Sequence, residues 1–282
     1  MPEAPEVQNV LQYLEEELKG SQIERVKVTH PKLAANLPVE QFESRLAGQR
    51  FRGFHRLGKY LVFELDNLDL VSHLRMEGKF QIYPSPKDVD DLDEKEAKHI
   101  HAQFLLQDGR VLCYRDTRKF GRMYVYDRPE NWKDLPVLVG VGKDALDPDL
   151  NAEELLEMTR KRKAPIKSVL LDQSVIAGIG NIYADEILFE SRISPFSVTS
   201  HLSKEDWQAI IDATRRILSS SIEAGGTTIR SFSYGKNHAG SYQDSLMVHG
   251  KEGDCALCDT PIVHTRVGQR STWYCPTCQK EK

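Results

Sequence analysis

The chain has 282 residues, a formal net charge of −4 and a pI near 6.2. Its 40% hydrophobic and 28% charged residues are typical of a globular protein, and the length allows two or three domains with their own cores. No apolar run reaches the roughly 18 residues of a membrane helix, and the first residues lack the charged-then-apolar order of a signal peptide. The sequence therefore excludes an integral membrane protein and predicts a cytoplasmic one.

The first helix is predicted to follow a stiff N-terminal segment. Pro2 and Pro5 each fix φ near about −65° and lack a backbone donor, so the chain should be extended until a helix begins near Pro5. Apolar residues then recur at three- and four-residue spacing as far as Leu18, and Gly20 follows. This pattern predicts an amphipathic helix over residues 5–19.

The same segment carries groups suited to covalent chemistry. Removal of Met1 would leave Pro2 with a free secondary amine, and an α-amino group titrates near roughly 7.7–8.0. Such an amine attacks carbon electrophiles and forms Schiff bases. Glu3 and Glu6 lie close enough in sequence to move protons for that chemistry. The alternative is a frayed terminus with solvated prolines and glutamates.

Eight short segments rich in β-branched and aromatic residues predict strands. They are Ile23–His30, Arg50–Phe54, Tyr60–Leu65, Leu68–His73, Lys79–Tyr83, Ala102–Leu106, Val111–Tyr114 and Arg122–Tyr126. Asp108-Gly109 predicts a hairpin, and a short helix is predicted over Val39–Ala47. The acidic run over residues 88–96 is predicted to be a solvated, mobile loop. We interpret residues 1–130 as a β-sandwich domain with flanking helices.

Helical patterns dominate after Pro136. They cover Asn151–Arg162, Ile166–Gln173, Asn181–Phe189 and Lys204–Glu223, the last preceded by the capping pair Ser203 and Asp206. We predict a linker over residues 131–150, a helical domain over 151–245, and a cysteine-bearing domain over 246–282 that is too small for a core of its own. The predicted fold class is therefore α+β and multidomain.

Four of the five cysteines form two Cys-x2-Cys pairs, which is the spacing of a four-thiolate zinc ribbon. The pairs are Cys255 with Cys258 and Cys275 with Cys278. Four thiolates fill the tetrahedral shell of zinc, so we predict one structural Zn²⁺ with no position left for catalytic water. Two disulfides are disfavoured without a secretory segment, and iron–sulfur ligation has no specific support. Cys113, within a strand, is predicted to be an inert buried thiol.

Local basic clusters indicate an anionic partner although the net charge is negative. Lys163 and Lys167 precede a glycine loop, residues 177–180, that opens into the helix at Asn181. Glycines let the backbone approach an anion, and a helix N-terminus directs N–H groups at it, so we predict a phosphate site. The absence of a nucleotide-binding fingerprint favours a nucleic-acid backbone. Alternatively, these glycines only permit close helix packing. Arg270 lies on the hairpin between the cysteine pairs, a place from which zinc ribbons often contact nucleic acid, or it is only a solvated surface charge.

Seven motifs together give the chain a resemblance to a known family. They are Met1–Val7, Leu57–Leu61, His73–Gly78, Asp116–Gly121, Gly178–Tyr183, Gly225–Arg230 and the four-cysteine ribbon. In this order they resemble the formamidopyrimidine-DNA glycosylases from the first residue to the last cysteine pair. The resemblance implies a β-sandwich domain, a helix–two-turn–helix domain and a zinc finger that together bind damaged double-stranded DNA in the cleft between them, and a monomer is expected.

The resemblance also implies site residues. Pro2 matches the Schiff-base nucleophile, Glu3 the acid that helps open the sugar, and Lys59 the lysine of β-elimination. Arg270 matches the zinc-finger arginine that contacts phosphate and is linked to δ-elimination. Glu6 is implied on the DNA-binding side, and the residues implied at the DNA backbone are His99, Arg118, Lys163, Lys167 and Asn181. Those implied in the hole left by the everted nucleotide are Met76, Arg118 and Phe120. Glu77 and the segment Thr227–Ser245 are implied around the everted base. Ala4 departs from the leucine usual in the family, which loses packing more than chemistry.

Two alternatives remain open from the sequence. The sister branch resembling endonuclease VIII shares Pro2, Glu3 and the ribbon but prefers oxidised pyrimidines, whereas the trio of Met76, Arg118 and Phe120 favours the branch for oxidised purines. A zinc-ribbon DNA-binding module without catalysis would leave the Pro2-Glu3 terminus unexplained. We therefore expect a base-excision repair enzyme that excises 8-oxoguanine and formamidopyrimidines and cleaves the abasic site.

Overall fold

The computed structural model describes residues 1–228 and 239–282, and the chain divides into two compact units. The first unit comprises Met1–Val139 and Gly225–Gly240, and the second comprises Gly140–Ala224 and Ser241–Lys282. The chain therefore rejoins the first unit at Gly225 before it completes the second. The linear division predicted from the sequence did not contain this return.

Eight strands of the first unit form two antiparallel four-stranded sheets. They are β1 (Ile23–Val28), β2 (Gly53–Leu57), β3 (Tyr60–Glu64), β4 (Leu68–His73), β5 (Lys79–Tyr83), β6 (Ile100–Leu106), β7 (Val111–Arg115) and β8 (Arg122–Asp127). The strand orders are β1-β6-β7-β5 and β2-β3-β4-β8. Phe63 of one sheet and Phe80 of the other are buried in one core and meet edge to face at 5.9 Å. The predicted β-sandwich is confirmed.

Two helices pack on the sandwich core. Helix α1 (Ala4–Leu18) buries its apolar stripe, with Val7, Leu14 and Leu18 fully enclosed, and α2 (Val39–Leu46) buries Phe42. Both lie where the periodicity predicted them. Strand β2 lies further along the chain than the predicted Arg50–Phe54, because Gly58-Lys59 forms a two-residue turn and the register pairs Leu57 with Tyr60.

The acidic run was wrongly predicted to be a mobile loop. It forms two short helices, α3 (Pro86–Asp90) and α4 (Glu94–Ala97). Pro86 suits the first turn of α3, and the Asp93 side chain caps α4 by accepting the Glu96 backbone N–H at 2.8 Å. Val89 is buried against Tyr83 and Ile100, so one apolar residue among the acids docks the segment.

The second unit is mainly helical. Its helices are α5 (Ala152–Thr159), α6 (Ile166–Leu170), α7 (Asn181–Glu190) and α8 (Lys204–Glu223), and a two-residue parallel pair joins β9 (Lys143–Asp144) to β10 (Ile176–Ala177). The Ser203 and Asp206 capping box starts α8 at the predicted residue. Short 3-10 helices lie at Pro31–Leu33, Trp132–Asp134, Pro136–Leu138, Thr199–His201 and Tyr242–Ser245. No helix in the described ranges is long and apolar enough to cross a membrane.

The cysteine-bearing end of the chain packs against α7. Its hairpin, β11 (Val263–Val267) and β12 (Arg270–Tyr274), turns at Gly268-Gln269. Phe189 of α7 and Val248 are buried in one cluster with Cys255 and Cys275. This shared core supplies the burial that a segment of this length cannot provide alone.

Candidate active site and nucleic-acid interface

The N-terminus is held by a reciprocal capping box at the start of α1. The backbone N–H of Glu3 donates to Glu6 Oε2 at 2.8 Å, and the Glu3 side chain accepts the backbone N–H of Glu6. Both glutamates are 2% exposed, and Pro2 is buried beside them. The positive end of the helix dipole favours carboxylates at this position. The sequence therefore folds Pro2 and Glu3 into a fixed, enclosed terminus, which rules out the frayed alternative.

Glu6 also anchors a segment that is distant in sequence. Its Oε1 accepts the backbone N–H of Thr227 at 2.7 Å, and Thr227 follows Gly225 and Gly226, which have φ of 77° and 88°. Both carboxylate oxygens are therefore bound to backbone donors in the interior. The direct DNA contact expected for Glu6 conflicts with this placement, and its position fits an anchor for the terminus instead.

Lys59 lies in the β2–β3 turn and is only 5% exposed. The turn needs Gly58 at φ 57°, a left-handed conformation that glycine adopts without strain. Arg56 ties the turn to α1, because its guanidinium donates to the Gly58 carbonyl and to Gln8 Oε1, both at 2.9 Å. The Arg56 side chain thus bridges the Lys59 turn and helix α1, which follows Pro2. The sequence prediction missed this bridge.

His73 is a second residue that the sequence prediction missed. The β3–β4 register pairs it with Tyr60, which immediately follows Lys59. Burial lowers the pKa of His73 from its ordinary 6.5 to about 3, with further lowering by Arg75 and Lys59. Its Nδ1 accepts the backbone N–H of Arg75 at 3.0 Å, so the neutral ring carries its proton on Nε2. A histidine ending the strand opposite the Lys59 turn was the available signal.

Two loops of the first unit present the predicted wedge residues. Asp116, 1% exposed, accepts the backbone N–H groups of Arg118 and Gly121 at 2.9 and 2.8 Å. This shapes a loop on which Phe120 is 48% exposed, with the Arg118 guanidinium 4.8 Å from its ring centroid. An exposed aromatic ring under a cation is poorly explained by packing alone and is suited to insertion between bases.

The Met76 and Phe120 loops converge on one buried tyrosine. A Cβ on Gly121 would lie 1.7 Å from the Tyr114 hydroxyl oxygen, and a Cβ on Gly78 would lie 2.2 Å from it. Met76 is half-buried in the 74–78 turn, with Glu77 beside it. The close backbone approach at both glycines brings the two loops together. His99 joins them, since its carbonyl accepts the Asp116 N–H at 2.9 Å.

In the second unit, a glutamine holds the glycine loop before α7. Gln173 donates through Nε2 to the Ile179 carbonyl at 2.9 Å, and its Oε1 accepts the Gly178 N–H at 2.9 Å. The loop delivers the chain to α7, where Asn181 Nδ2 donates to the Ser271 carbonyl at 2.9 Å. Lys163 and Arg270 are exposed. Within this unit, Asn181 and the Arg270 hairpin are therefore joined directly.

Lys167 does not lie where the sequence prediction placed it. A direct phosphate contact was expected, but the side chain is 0% exposed and its ammonium is 2.7 Å from Asp185 Oδ1. The same ammonium donates to the Ser271 carbonyl at 2.7 Å and to Thr272 Oγ1 at 2.8 Å. The prediction was wrong because a short helix followed by a glycine loop does not reveal that an acidic partner closes over the lysine.

The four predicted ligand cysteines converge. Their sulfur atoms all lie within 4.8 Å of one another, with 3.4 Å between Cys258 and Cys275 and 3.9 Å between Cys255 and Cys278. Tetrahedral zinc with bonds of about 2.3 Å requires sulfurs about 3.8 Å apart, so the donor set fits the ion. Glu186 of α7 seats the segment before the ribbon by accepting the backbone N–H groups of Met247, Val248 and His249 at 2.7, 2.9 and 2.7 Å.

Three family descriptions match successive parts of the chain: the formamidopyrimidine-DNA glycosylase N-terminal domain over residues 1–123, the H2TH domain of the same glycosylases over 141–233, and a zinc finger found in FPG and IleRS over 255–280. The chain is 40% identical over 281 residues to the formamidopyrimidine-DNA glycosylase of Bacillus cereus, covering 99% of both proteins. It is 38% identical to that of Listeria innocua, covering 99% of this chain and 100% of the relative. This chain belongs to the formamidopyrimidine-DNA glycosylase family.

Solved structures of Lactococcus lactis Fpg are similar over the whole fold. One, in complex with DNA containing Fapy-dG, matches with a TM-score of 0.88 at 34% identity and covers 99% of this chain and 100% of its own. Another, with abasic-site DNA, matches equally well at 33% identity and the same coverage. A third, with DNA containing an oxidised pyrimidine, has a TM-score of 0.87 at 33% identity and again the same coverage.

Membership of this glycosylase family confirms several predictions. The β-sandwich, the H2TH domain and the zinc ribbon are the architecture of the family, and the four cysteines can hold one structural zinc ion. Cys113 is fully buried, as predicted. The residues expected to surround the everted base fall largely at positions 229–238, outside the described part of the chain.

Proposed function

We propose that this chain is a bifunctional base-excision repair enzyme. It everts and excises oxidised purines, including 8-oxoguanine and formamidopyrimidines, from duplex DNA and then cleaves the strand at the abasic site by β,δ-elimination. Membership of the glycosylase family supports the activity, and the enclosed, capped terminus that holds Pro2 and Glu3 is the observation that carries it. Since the substrate is chromosomal DNA, the expected place of action is the bacterial cytoplasm.

The Pro2 amine is the proposed nucleophile. Once Met1 is removed, the lone pair of the Pro2 nitrogen attacks the sugar C1′ and a C–N bond forms. The bond between C1′ and the base breaks, and the departing base takes up a proton. Glu3, fixed by the capping box, supplies the proton that opens the sugar ring. The resulting iminium accepts electrons, which acidifies the C2′ proton. Its removal expels the 3′ phosphate, and a second elimination expels the 5′ phosphate.

Lys59 and Arg270 are assigned to the elimination steps. Lys59, held in its turn and bridged to α1 through Arg56, is proposed for β-elimination. Arg270, exposed on the hairpin, is proposed to bind the phosphate that leaves in δ-elimination, because guanidinium binds phosphate through two parallel hydrogen bonds. Four cysteine thiolates would leave a zinc ion no open coordination position, so the ion would hold the ribbon that presents Arg270.

The remaining proposed contacts hold the distorted duplex. A base inside the stack cannot be reached, so it is everted at a cost of a few kcal/mol. Met76 and Phe120 offset that cost by filling the gap, with Arg118 toward the orphan base. His99, Lys163 and the N-terminus of α7 at Asn181 bind backbone phosphates, and Glu77 lies beside the everted base.

The test uses the amine itself. One residue added before Pro2 turns the amine into an amide, whose delocalised lone pair is not nucleophilic, so base release and strand cleavage should both be lost. Pro2→Gly retains an amine and should keep partial activity. Borohydride added during turnover should leave protein covalently joined to lesion DNA, with the adduct on residue 2. Cleavage by the extended protein, or an adduct on Lys59, would refute the assignment.

A second substrate class has one specific observation in its favour. A solved Lactococcus lactis Fpg that resembles this chain was bound to DNA containing an oxidised pyrimidine. Single-turnover rates on duplexes that each carry one defined lesion would rank the two classes. Faster excision of every oxidised pyrimidine than of 8-oxoguanine would overturn the proposed purine preference.

A further inference from the structure

Lys167 of α6 is a fully buried cation that faces one carboxylate and two hydrogen-bond acceptors. Its ammonium forms an ion pair with Asp185, 2.7 Å from Oδ1, and donates hydrogen bonds to the Ser271 carbonyl at 2.7 Å and to Thr272 Oγ1 at 2.8 Å. The three partners lie on α7 and on β12. A single side chain therefore joins a short helix, the helix that begins at Asn181 and the zinc-ribbon hairpin.

Burying the Lys167–Asp185 ion pair has a large desolvation cost. Removing an ammonium and a carboxylate from water costs several kcal/mol each, and their mutual attraction offsets the cost only when the geometry is good. Asp185 is 0% exposed, and its second oxygen lies 2.7 Å from His249 Nδ1 and accepts the Trp273 N–H at 3.3 Å. Apolar residues of similar volume often stabilise an interior as well as such a pair does, which directs attention to the geometry that the pair holds.

The Ser271 carbonyl is what the pair holds. It accepts from Lys167 Nζ at 2.7 Å and from Asn181 Nδ2 at 2.9 Å. Thr272 Oγ1, also bound by Lys167, donates to the Arg270 carbonyl at 3.1 Å. The backbone on the C-terminal side of Arg270 is thus fixed by two hydrogen bonds that pass through the lysine.

We propose that Lys167 is a positioning residue that aligns Arg270 and Asn181 for backbone phosphates without touching DNA. The inference rests on the proposed function, in which those two residues bind the DNA backbone. Lys167 adds no phosphate contact of its own. Its contribution to DNA affinity exists only while Arg270 and Asn181 are present to use the alignment.

A double-mutant cycle on the zinc-loaded protein tests this. Lys167→Met keeps most of the side-chain volume and removes the ammonium, and it should weaken binding to an abasic-site duplex about tenfold, the equivalent of one lost hydrogen bond to a charged group. In the Arg270→Ala/Asn181→Ala background the same change should cost less than about twofold, because effects that pass through a shared partner are not additive. Zinc content and melting temperature are measured for every variant.

The exposed Lys163 provides the matched control. As a proposed direct contact, Lys163→Ala should weaken binding by the same factor in both backgrounds, since independent sites add. Equal factors for Lys167→Met in both backgrounds, or no effect in either, would overturn the positioning role and leave the proposed function intact. If Arg270→Ala/Asn181→Ala itself binds DNA normally, the proposed interface fails and the positioning role fails with it.

Because Lys167→Met leaves Asp185 buried without its partner, that variant is vulnerable to misfolding. Lys167→Met/Asp185→Asn removes both charges and keeps an amide oxygen that can accept the Trp273 N–H, so it should fold with full zinc. The inference requires it to show the same loss of affinity as the single variant. A well-folded double variant with unchanged affinity would overturn it.

Discussion

Two helix starts carry the proposed chemistry and the proposed DNA grip, and they are built differently. At α1 the cap is local, since Glu3 and Glu6 cap each other within one turn, and Thr227 adds a donor from far along the chain. At α7 the anchor is long-range, since Asn181 is tied to Ser271 and the next turn supplies Asp185 and Glu186 to the ribbon.

The difference follows from what each start must do. A nucleophile must be held within a fraction of an ångström, and a capping box achieves that with neighbouring residues. A phosphate grip must place donors from separate parts of the chain along a strand, so it depends on elements brought together by folding. Damage to the ribbon should therefore affect the grip at α7, whereas damage to α1 should affect the reaction.

The largest expected effect is on the α7 side and comes from removing the zinc. Cys258→Ser should release the ion, because metal binding supplies about 10–16 kcal/mol of apparent folding energy to such ribbons. DNA affinity should fall at least about tenfold as Arg270 and Ser271 lose their frame. Cys113→Ser, which alters a cysteine outside the cluster, should retain one zinc per chain. Full zinc in Cys258→Ser by elemental analysis would contradict the ligand assignment.

On the α1 side, Glu6→Gln removes one of two acceptors. The amide nitrogen would face a backbone N–H of Glu3 or Thr227, and such an unpaired donor costs about 1–3 kcal/mol, or about 5- to 150-fold in the rate of base release. DNA affinity should change less than about twofold. Glu15→Gln, on the exposed face of the same helix, is the control. Equal losses of affinity and rate would erase the contrast between the two helix starts.

A third test separates eversion from sugar chemistry within the first unit. Phe120→Ala should slow single-turnover cleavage of an 8-oxoguanine duplex about tenfold, because the wedge offsets the unstacking cost of a few kcal/mol. An abasic site, which everts easily, should be cleaved at the normal rate. Val139→Ala removes another exposed apolar side chain and should affect neither substrate. Equal slowing on both substrates would count against a wedge.

The last expected effect is on stability, not on DNA affinity or rate, and it reports the environment of Lys59. His73 is neutral when folded because its pKa is lowered to about 3, whereas the unfolded residue takes up a proton near pH 6.5. Its contribution to stability is complete above pH 6.5 and declines as pH falls, by at most about 1.4 kcal/mol per pH unit. Denaturant unfolding of His73→Asn, which keeps an acceptor for the Arg75 N–H, should show a correspondingly shallower loss from pH 6.5 to pH 4. An unchanged slope would mean that His73 is not held neutral.

Elements with local signals could be predicted from the sequence. Strands β4 and β5 and helix α8 have the predicted bounds, because alternation and a capping box act over a few residues. The cysteine cluster and the helix start after Pro2 and Glu3 could also be predicted, because their signals are short sequence motifs. The docking of the acidic run was not, because Val89 is one apolar residue among acids and its partners lie on other strands.

The failures at the site share one cause. In the sequence Lys167 looks like an ordinary surface lysine, and Asp185 and Ser271 contact it only after folding. In the sequence Glu6 looks like a possible catalytic acid. The backbone N–H of Thr227 reaches it because the chain returns to the first unit at Gly225. Arg56 and His73 became visible only when the strand register placed them beside the Lys59 turn.

The cysteine inventory has a practical consequence for labelling. Burial raises the pKa of Cys113 to about 12, and the other four thiols of the chain are committed to zinc. Alkylating reagents attack accessible thiolates, so the zinc-loaded protein should be almost inert to maleimide. A cysteine introduced at Val139, which is 74% exposed, would then take a single fluorophore without removal of any native thiol, and the labelled enzyme could be followed on DNA one molecule at a time.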